Sequence, residues 1–376
     1  GPSVSLEGGV GVFVDGVYRS RNGAALSNFL DYESVQILKG PQSTLFGKNT
    51  SAGAVLLTST MPNLSDTAGS YEMRLSNFDS RMFKGAVNLP LIEDKLAVRT
   101  ALMGFNNGGF VENVLTGRTE DQTEGGAAKV SVLFEPSDTV SFNLIADWSD
   151  TTGDCCARAV YTNTDGGVTR ILDAIGAAQG LPNTTLEYIN GGEFRTAVRN
   201  NGDLALRDKG LTLRSEFELG AGNLTSITAY REWFSRNRNE QALFSTVDVL
   251  AFSPQFQSEQ FSQELLYDVQ VSDSIDAIFG AFYSDEDMLR ERTLFNGADA
   301  QAFITALTTI PSGATPGTVI QKEYIPGTAK SMSVFTNWTF DLTDKWTFAV
   351  GGRLSKEEKT GAYDNLIDPP AGSAWT

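Results

Sequence analysis

The chain has 376 residues, a formal net charge of -17 and no histidine. This length corresponds to two or three soluble domains or to one large β architecture. The acidic balance argues against nucleic acid as a partner, because no basic field is available to neutralise phosphates. The lack of histidine excludes Ser-His-Asp triads, most zinc sites and haem ligation by histidine.

Residues 1–62 contain three short strand-like runs joined by polar turns. These apolar runs occupy residues 10–17, 35–38 and 54–58, and glycine, proline and polar residues bound them. Gly40-Pro41 ends the second run, because proline lacks the N–H that a strand ladder needs. The pattern predicts a small mixed domain with a few short strands.

From about residue 69 onward, the pattern changes to repeated strands with turns between them. Apolar and polar residues alternate most clearly at 140–148, 211–218, 331–340 and 345–354. Period two over about ten residues predicts strands with one apolar and one polar face. About ten tilted residues cover the ~25 Å apolar band of a transmembrane barrel.

The connections between these strands alternate between short and long. A transmembrane barrel sorts its connections in this way, with short periplasmic turns and long extracellular loops, whereas a soluble sandwich has no reason to do so. The predicted short turns lie at 90–95, 135–138, 220–223, 272–274 and 342–344, and the long connections lie at 106–122, 150–209, 237–255 and 286–328.

Tryptophan positions agree with a barrel in a membrane. Trp148, Trp233, Trp338 and Trp346 lie within or near predicted strand ends, where aromatic girdles sit. Packing inside a soluble β core is the alternative. The only cysteines are the adjacent pair Cys155-Cys156, which is either a vicinal disulfide or two free thiols in a loop.

Residues 1–62, hereafter the plug segment, closely resemble the second half of the plug domain of TonB-dependent outer-membrane receptors. Four stretches carry this resemblance and look like the family patterns IDGV, LRGP, LYG and GGAIN. They are Val14-Asp15-Gly16-Val17, Leu38-Lys39-Gly40-Pro41, Leu45-Phe46-Gly47 and Gly53-Ala54-Val55. The resemblance assigns Asp15, Gly16, Lys39, Gly40, Pro41, Gly47 and Gly53 to the structural motif of the plug. Lys39 and Leu56 depart from it, because arginine and asparagine are usual there.

The rest of the chain resembles the barrel of the same family. Phe261-Ser262-Gln263-Glu264-Leu265 looks like the family's SQELR strand start, and residues 340–346 and 351–359 look like a late strand–turn–strand pair. The fold class expected is an all-β transmembrane barrel, about half of an antiparallel barrel of about 22 strands. A small α+β plug remnant stands at the N-terminus. The domain division predicted is residues 1–62 for the plug and 63–376 for about eleven barrel strands.

The resemblance also implies a function. We expect active import of a scarce nutrient, such as a ferric siderophore or similar chelate, across the bacterial outer membrane. The implied partners are the TonB-ExbB-ExbD complex, which would act through a box ahead of the plug, the chelate itself and outer-membrane lipid. Because the chain starts at Gly1 without a signal peptide, we expect an internal fragment. No cofactor, resident metal or nucleic acid is expected.

The candidate substrate-binding residues are Tyr18, Arg19, Arg21 and Asn22. In relatives the loop after this strand lies at the apex of the plug and can touch the incoming substrate. Arginine and tyrosine suit an anionic or oxygen-rich ligand, because they offer bidentate hydrogen bonds and stacking. The alternative is that these residues only face the barrel wall.

Two other classes of protein remain open at this stage. A passive porin or surface-binding barrel explains the strands but not the plug segment. A soluble acidic β protein, such as a carbohydrate-binding sandwich, explains the composition but not the sorted connections. An enzyme is not expected, because no catalytic constellation is visible.

Overall fold

A computed structural model describes residues 8–21, 23, 28–154, 167–181, 194–199, 201–241, 246–309 and 313–367. Asn22, Cys155 and Cys156 lie outside the described residues. No helix in the described part of the chain is long and apolar enough to cross a membrane.

The plug segment forms a four-stranded sheet with the order β2-β1-β4-β3. Its strands are β1 (Val10–Val14), β2 (Val17–Tyr18), β3 (Tyr32–Lys39) and β4 (Gly53–Ser59). β1 pairs with β2 antiparallel and with β4 parallel. Alternating residues of β1 therefore supply two small cores, with Val12 and Val14 packing on Leu57, and Phe13 packing on Tyr18.

Asp15 and Gly16 form the two-residue turn between β1 and β2. Both residues have positive φ, 53° and 84°, as a type I′ hairpin turn requires. The Asp15 carboxylate accepts hydrogen bonds from Ser59 N at 2.7 Å and from Ser59 Oγ at 2.8 Å. The turn therefore also fixes the end of β4, which gives this part of the family motif a structural reason.

The remaining elements follow in chain order. They are β5 (Ala68–Leu75), β6 (Arg81–Ile92), β7 (Leu96–Asn107), β8 (Val111–Asn113), β9 (Arg118–Glu120), β10 (Thr123–Ser137), β11 (Val140–Asp154), α1 (Gly167–Ala178), β12 (Arg195–Thr196), β13 (Asn201–Leu219), β14 (Gly222–Gln241), β15 (Leu250–Ser272), β16 (Ile275–Asn296), α2 (Ala300–Thr308), β17 (Val319–Thr343), β18 (Trp346–Gly361) and β19 (Asp364–Ile367).

Most of these strands form one twelve-stranded antiparallel sheet, hereafter the wall. Its strands follow the order β5-β6-β7-β10-β11-β13-β14-β15-β16-β17-β18, and β19 pairs with the outer part of β17. The short strands β8, β9 and β12 form a separate sheet in the long connections. The predicted division at residues 62 and 63 falls between Ser59, which ends β4, and Ala68, which begins β5.

The two faces of the wall differ in chemistry. On β11, Leu144, Ala146 and Trp148 are exposed, whereas Asn143 and Ile145, the residues on either side of Leu144, are buried. One cross-strand row of the buried face, hereafter the lumen face, carries small polar side chains. These are Ser131, Thr212, Ser262, Ser284 and Ser331. A polar inner face and an apolar outer face are the arrangement of a transmembrane barrel, so the predicted fold class is confirmed.

Several predicted boundaries between strands and loops are wrong. β13 begins at Asn201 and β16 ends at Asn296, although residues 150–209 and 286–328 are predicted as connections. Outside the apolar band, both faces of a strand meet water or the plug segment. The strand then carries polar residues on both faces, and the sequence no longer alternates.

Trp233 is a second correction, because it faces the lumen and not the lipid. It lies opposite Asp208 and Ser258 in the wall, and these are residues of the lumen face. Its ring packs against Phe256 with a centroid distance of 6.3 Å. Strand-end position alone did not reveal this orientation, because the alternation of β14 is weak.

Three long connections share one small apolar core. The core contains the buried side chains of Leu172, Val247, Val249 and Phe303. The Asp299 carboxylate, next to the start of α2, accepts hydrogen bonds from Gln179 Nε2 at 2.7 Å, Arg199 Nη1 at 3.1 Å and Asp248 N at 2.9 Å. Gln179 follows α1, Arg199 precedes β13 and Asp248 precedes β15. The Asp299 carboxylate therefore holds the three connections together as one unit.

A charge placed in the middle of the outer face should destabilise the barrel. Leu144 is exposed on this face and pairs with Leu213 of the neighbouring strand. We expect Leu144→Arg to lower the free energy of unfolding of the intact protein in phospholipid bilayers by about 2–4 kcal/mol, the cost of an arginine near the bilayer midplane. Urea titration followed by tryptophan fluorescence measures the change.

Gln257→Arg is the matched control, because Gln257 is exposed on the outer face of β15 beyond the apolar band. Its cost should stay below about 1 kcal/mol, as for arginine near the membrane interface. Equal losses in the two variants would contradict the assignment of the apolar band.

Candidate functional site: the interface between the plug segment and the wall

Arg19 is the central contact between the plug segment and the wall. It follows β2, is buried, and forms a hydrogen-bonded ion pair with the Asp208 carboxylate on β13. Arg231 on β14 donates to the same carboxylate at 3.1 Å and to the Asp147 carboxylate on β11 at 2.5 and 2.9 Å. Burial, and then the neighbouring Arg231, lower the pKa of the Arg19 guanidinium from its ordinary value. Two guanidinium groups and two carboxylates therefore form a buried network with no net charge.

Lys129 on β10 is a second buried cation of the wall that binds the plug segment. Its ammonium donates to Leu30 O at 2.9 Å and to Ser59 Oγ at 2.7 Å. It also lies 4.0 Å from the centre of the Tyr32 ring, within cation–π range. Burial raises the pKa of Tyr32 to about 12, so its phenol is neutral at physiological pH. A cavity of only about 40 Å³ is lined by Lys129, Tyr32 and Arg19, so plug and wall are closely packed here.

Further ion pairs join the plug segment to both ends of the wall. Arg99 on β7 donates to the two Asp31 carboxylate oxygens at 2.6 and 2.7 Å, a bidentate pair that is largely buried. Lys48 lies 4.0 Å from the Glu357 carboxylate on β18. The plug segment therefore spans the concave lumen face from an early to a late strand.

Arg21 faces β16. Its Nη2 lies 3.6 Å from Glu286 Oε1 and 2.7 Å from Met288 Sδ. The same Glu286 oxygen accepts hydrogen bonds from Ser20 Oγ at 2.8 Å and from Ser258 Oγ on β15 at 2.7 Å. Glu286 therefore joins the plug segment to two strands of the wall.

Tyr18 belongs to the interior of the plug segment. Its hydroxyl accepts a hydrogen bond from Asn49 Nδ2 at 2.6 Å, and its carbonyl accepts one from Gln260 Nε2 on β15 at 3.2 Å. The structure thus brings Tyr18, Arg19 and Arg21 together against the wall. No observation tests their contact with a substrate, which stays a prediction.

Gly47 lies where the guanidinium of Arg353 on β18 rests on the plug segment. It has positive φ, 70°, and a Cβ at this position would overlap the Arg353 guanidinium. Arg353 also lies over the Phe335 ring, 4.6 Å from its centroid, and donates to Ser333 Oγ. Glycine is therefore required at position 47 both by the positive φ and by the close approach of the Arg353 guanidinium.

The other motif residues lie at strand ends of the plug segment. Lys39, Gly40 and Pro41 occupy the end of β3, and Lys39 is exposed there. Gly53 begins β4, where a Cβ would meet Leu38 O at 2.5 Å. Close packing of β3 on β4 therefore requires the glycine.

Sequence patterns do not single out the wall residues that hold the plug segment, namely Asp147, Asp208 and Arg231 of the buried network and Glu286 on β16. Asp208 and Glu286 fall in stretches predicted as connections. Extending the alternation of β13 back from Leu211 would have placed Asp208 on the lumen face. Among the described residues, no group of three acidic, cysteine or histidine side chains is arranged to hold a metal ion.

Residues 2–54 match the family model of the TonB-dependent receptor plug domain. The chain is also similar to solved structures of several receptors. The ferric yersiniabactin uptake receptor FyuA from Yersinia pestis is 18% identical, with a TM-score of 0.76 over 96% of this chain and 50% of that chain. The ferric-catecholate import receptor Fiu from E. coli K12 is 14% identical, with a TM-score of 0.65, and the match covers 96% of this chain and 56% of that chain. The ferripyoverdine receptor of the outer membrane of Pseudomonas aeruginosa is 13% identical, with a TM-score of 0.64, and the match covers 96% of this chain and 47% of that chain.

The chain therefore has the plug and β-barrel fold of TonB-dependent outer-membrane receptors, as its sequence predicted. It spans about half the length of the solved structures that it matches. The matching family and structures are receptors and not enzymes, in agreement with the prediction.

Removing one carboxylate of the buried network should loosen the plug segment. Asp208→Asn leaves Arg19 buried without its ion-pair partner, which costs about 3–5 kcal/mol for a broken buried pair. We expect this loss in the free energy of unfolding of the intact protein, measured by urea titration. In a double-mutant cycle with Arg19→Gln, the two losses should be strongly non-additive.

Asp150→Asn is the matched control, because Asp150 pairs with the exposed Arg207 on the outer face at 2.6 Å. An exposed pair contributes about 0–1 kcal/mol. Additive losses in the cycle, or an equal loss for Asp150→Asn, would argue that Arg19 does not anchor the plug segment.

Gly47→Ala should loosen the contact with β18. Gly40→Ala serves as the control, because Gly40 also has positive φ but a Cβ there meets nothing within 4 Å. Both variants should lose about 1–2 kcal/mol from the left-handed backbone, and only Gly47→Ala should lose more through Arg353. Urea titrations measure the free energy of unfolding of the two single variants and of the double variant that combines Gly47→Ala with Arg353→Ala. The extra loss should disappear in the double variant, and its persistence would contradict the proposed contact.

Proposed function

We propose that the intact protein imports a scarce nutrient, as a ferric siderophore or similar chelate, across the bacterial outer membrane with energy supplied through TonB. The observation that carries this proposal is the plug segment on the lumen face of the wall. A barrel whose lumen is closed in this way needs work to open a path.

The chemistry of the interface suits a plug that is displaced and returned. Arg19, Arg21, Lys48 and Lys129 make most of its contacts through charges and hydrogen bonds. Water can replace such partners when the contacts open, so the net loss per hydrogen bond is only about 0.5–1.5 kcal/mol. A large apolar interface would instead lose about 25 cal/mol for each Å² exposed.

The similar structures support the choice of substrate and partner. Three of them are described as a ferric yersiniabactin uptake receptor, a ferric-catecholate import receptor and a ferripyoverdine receptor. The plug family is named for its dependence on TonB. We infer that the TonB-ExbB-ExbD complex energises the receptor and that the substrate enters from the side of the long connections.

A passive porin is the second candidate. It would need an open lumen, whereas the contacts of the plug segment reach from Arg99 on β7 to Glu357 on β18. This span favours gated import over a permanent pore.

Energised uptake is the test of the proposed function. Cells that produce the intact protein as their only receptor should take up iron-55 presented as a supplied ferric chelate, and uptake should saturate. We expect uptake to stop when TonB is deleted or the proton gradient is collapsed, because the plug must be displaced by work. Measured accumulation of the isotope gives the result.

Planar-bilayer conductance of the purified intact protein separates the two candidates. A plugged receptor should show little conductance, and the Asp208→Asn variant should show more. Undiminished uptake of every tested chelate in cells without TonB would refute the proposal, and a large stable conductance in the unmodified protein would favour the porin.

A further inference from the structure

The lumen face of β16 carries a line of side chains that leads from the plug segment toward the long connections. Glu286 and Met288 both contact Arg21, which places them on the lumen face. Because strand residues alternate, Arg290 and Arg292 lie on the same face, one and two steps farther along. Two arginines therefore follow directly beyond the last contact of the plug segment.

Both arginines rest on aromatic rings of the neighbouring strand. The Arg290 guanidinium lies 5.7 Å from the centre of the Phe256 ring, and the Arg292 guanidinium lies 4.9 Å from that of Phe252. Trp233 also packs against Phe256, with a centroid distance of 6.3 Å. We call Trp233, Phe252, Phe256, Arg290 and Arg292 the arginine–aromatic patch.

Arg290 is not held by a carboxylate. Among the described residues it has no ion-pair partner, and its Nε is buried without a hydrogen-bond partner. A buried N–H without an acceptor is rare in proteins and costs about 1–3 kcal/mol. Stacking on Phe256 is thus the contact that orients its guanidinium.

The local charge is positive although the chain as a whole is strongly acidic. Arg292 has one acid nearby, Glu323 on β17 at 3.6 Å, and Arg21 has Glu286 at the same distance. Three arginines, Arg21, Arg290 and Arg292, therefore face the two carboxylates of Glu286 and Glu323, and 3 − 2 leaves one net positive charge. The formal charge of the whole chain is -17.

The outer face offers a direct comparison. Arg207 also lies over an aromatic ring, 5.9 Å from the centre of Phe234, but it donates to the Asp150 carboxylate at 2.6 Å. Stacking of an arginine on a ring therefore does not by itself leave a charge open in this protein. Arg236, also over Phe234 at 6.0 Å, resembles Arg290 in having a buried Nε without a hydrogen-bond partner, but it lies on the outer face. The Arg290 guanidinium instead faces the lumen, where a ligand would pass.

We infer that the arginine–aromatic patch binds the oxyanion groups of a negatively charged metal chelate, and that the wall strand β16, more than Tyr18 or Arg19, determines this selectivity. Guanidinium groups recognise carboxylate or catecholate oxygens through paired N–H donors, and the rings offer stacking surface. Arg21, two residues beyond Arg19, continues the positive surface onto the plug segment. This inference rests on the proposed function.

Chelate binding to the purified full-length receptor tests the inference. The probes are ferric citrate, an anionic carboxylate chelate, ferric enterobactin, an anionic catecholate chelate, and ferrichrome, a neutral chelate. Quenching of intrinsic tryptophan fluorescence reports binding, since Trp233 belongs to the patch. We expect at least one anionic chelate to bind more tightly than ferrichrome.

Arg290→Gln combined with Arg292→Gln should weaken binding of that anionic chelate by about tenfold or more, the loss expected for a charged hydrogen bond. Arg207→Gln is the matched control and should stay within about twofold, because an exposed pair contributes little. Arg290→Lys, which keeps the charge, should retain the preference for the anionic chelate. Heat-modifiable migration in gels shows whether the double variant folds. If it does not fold, the affinity of the single variant Arg290→Gln for the anionic chelate is measured in its place.

Unchanged affinity for the anionic chelate in the Arg290→Gln/Arg292→Gln variant would overturn the inference, as would binding of ferrichrome alone or of none of the three probes. These outcomes are separable from failure of the proposed function. TonB-dependent uptake of ferrichrome alone would refute the patch and leave energised import intact. Patch-dependent binding without TonB-dependent uptake would refute import and leave the patch intact.

Discussion

Desolvated charge governs how the plug segment and the wall fit together. The wall alone would place Asp147 and Asp208 around a single guanidinium, that of Arg231. The plug segment supplies the second guanidinium, Arg19, and the network becomes neutral. Because buried charges are tolerated only when they are paired, each partner completes a charge balance that the other cannot satisfy. The position of the plug segment is therefore specified by electrostatics as much as by shape.

The same constraint acts at several places along the lumen face. Lys129 holds the end of β4, while Arg99 and Glu357 hold the plug segment near opposite edges of the described wall. Small polar side chains such as Ser131, Thr212 and Ser262 lie on the same face, together with the aromatic rings of Trp233 and Phe256. The outer face of the same strands is apolar, and one strand can serve both environments because its side chains alternate.

Much of this architecture could be predicted from the sequence, and the misses have physical reasons. Alternation at residues 140–148 identified a barrel strand correctly, because lipid on one side and a polar lumen on the other impose period two. Where lipid ends, as at Asp208 and Glu286, the period fades and strands were taken for loops. The Asp15-Gly16 turn divides residues 10–17, which the sequence predicts as one strand-like run, and the hydrogen bonds of Asp15 to Ser59 join residues 44 positions apart. Pairings of that kind are fixed by tertiary packing and leave no local signal.

The shared core of the long connections has a consequence for how the exposed side of this protein can evolve. Surface loops vary more in sequence and tolerate insertions better than the elements that they connect. Here Leu172, Val247 and Phe303 come from separate connections yet depend on one another for burial. A change of length or volume in one of them must be matched in the others. Independent variation is therefore confined to the outward residues of these connections, and a change in the shared core requires coordinated replacement in all three.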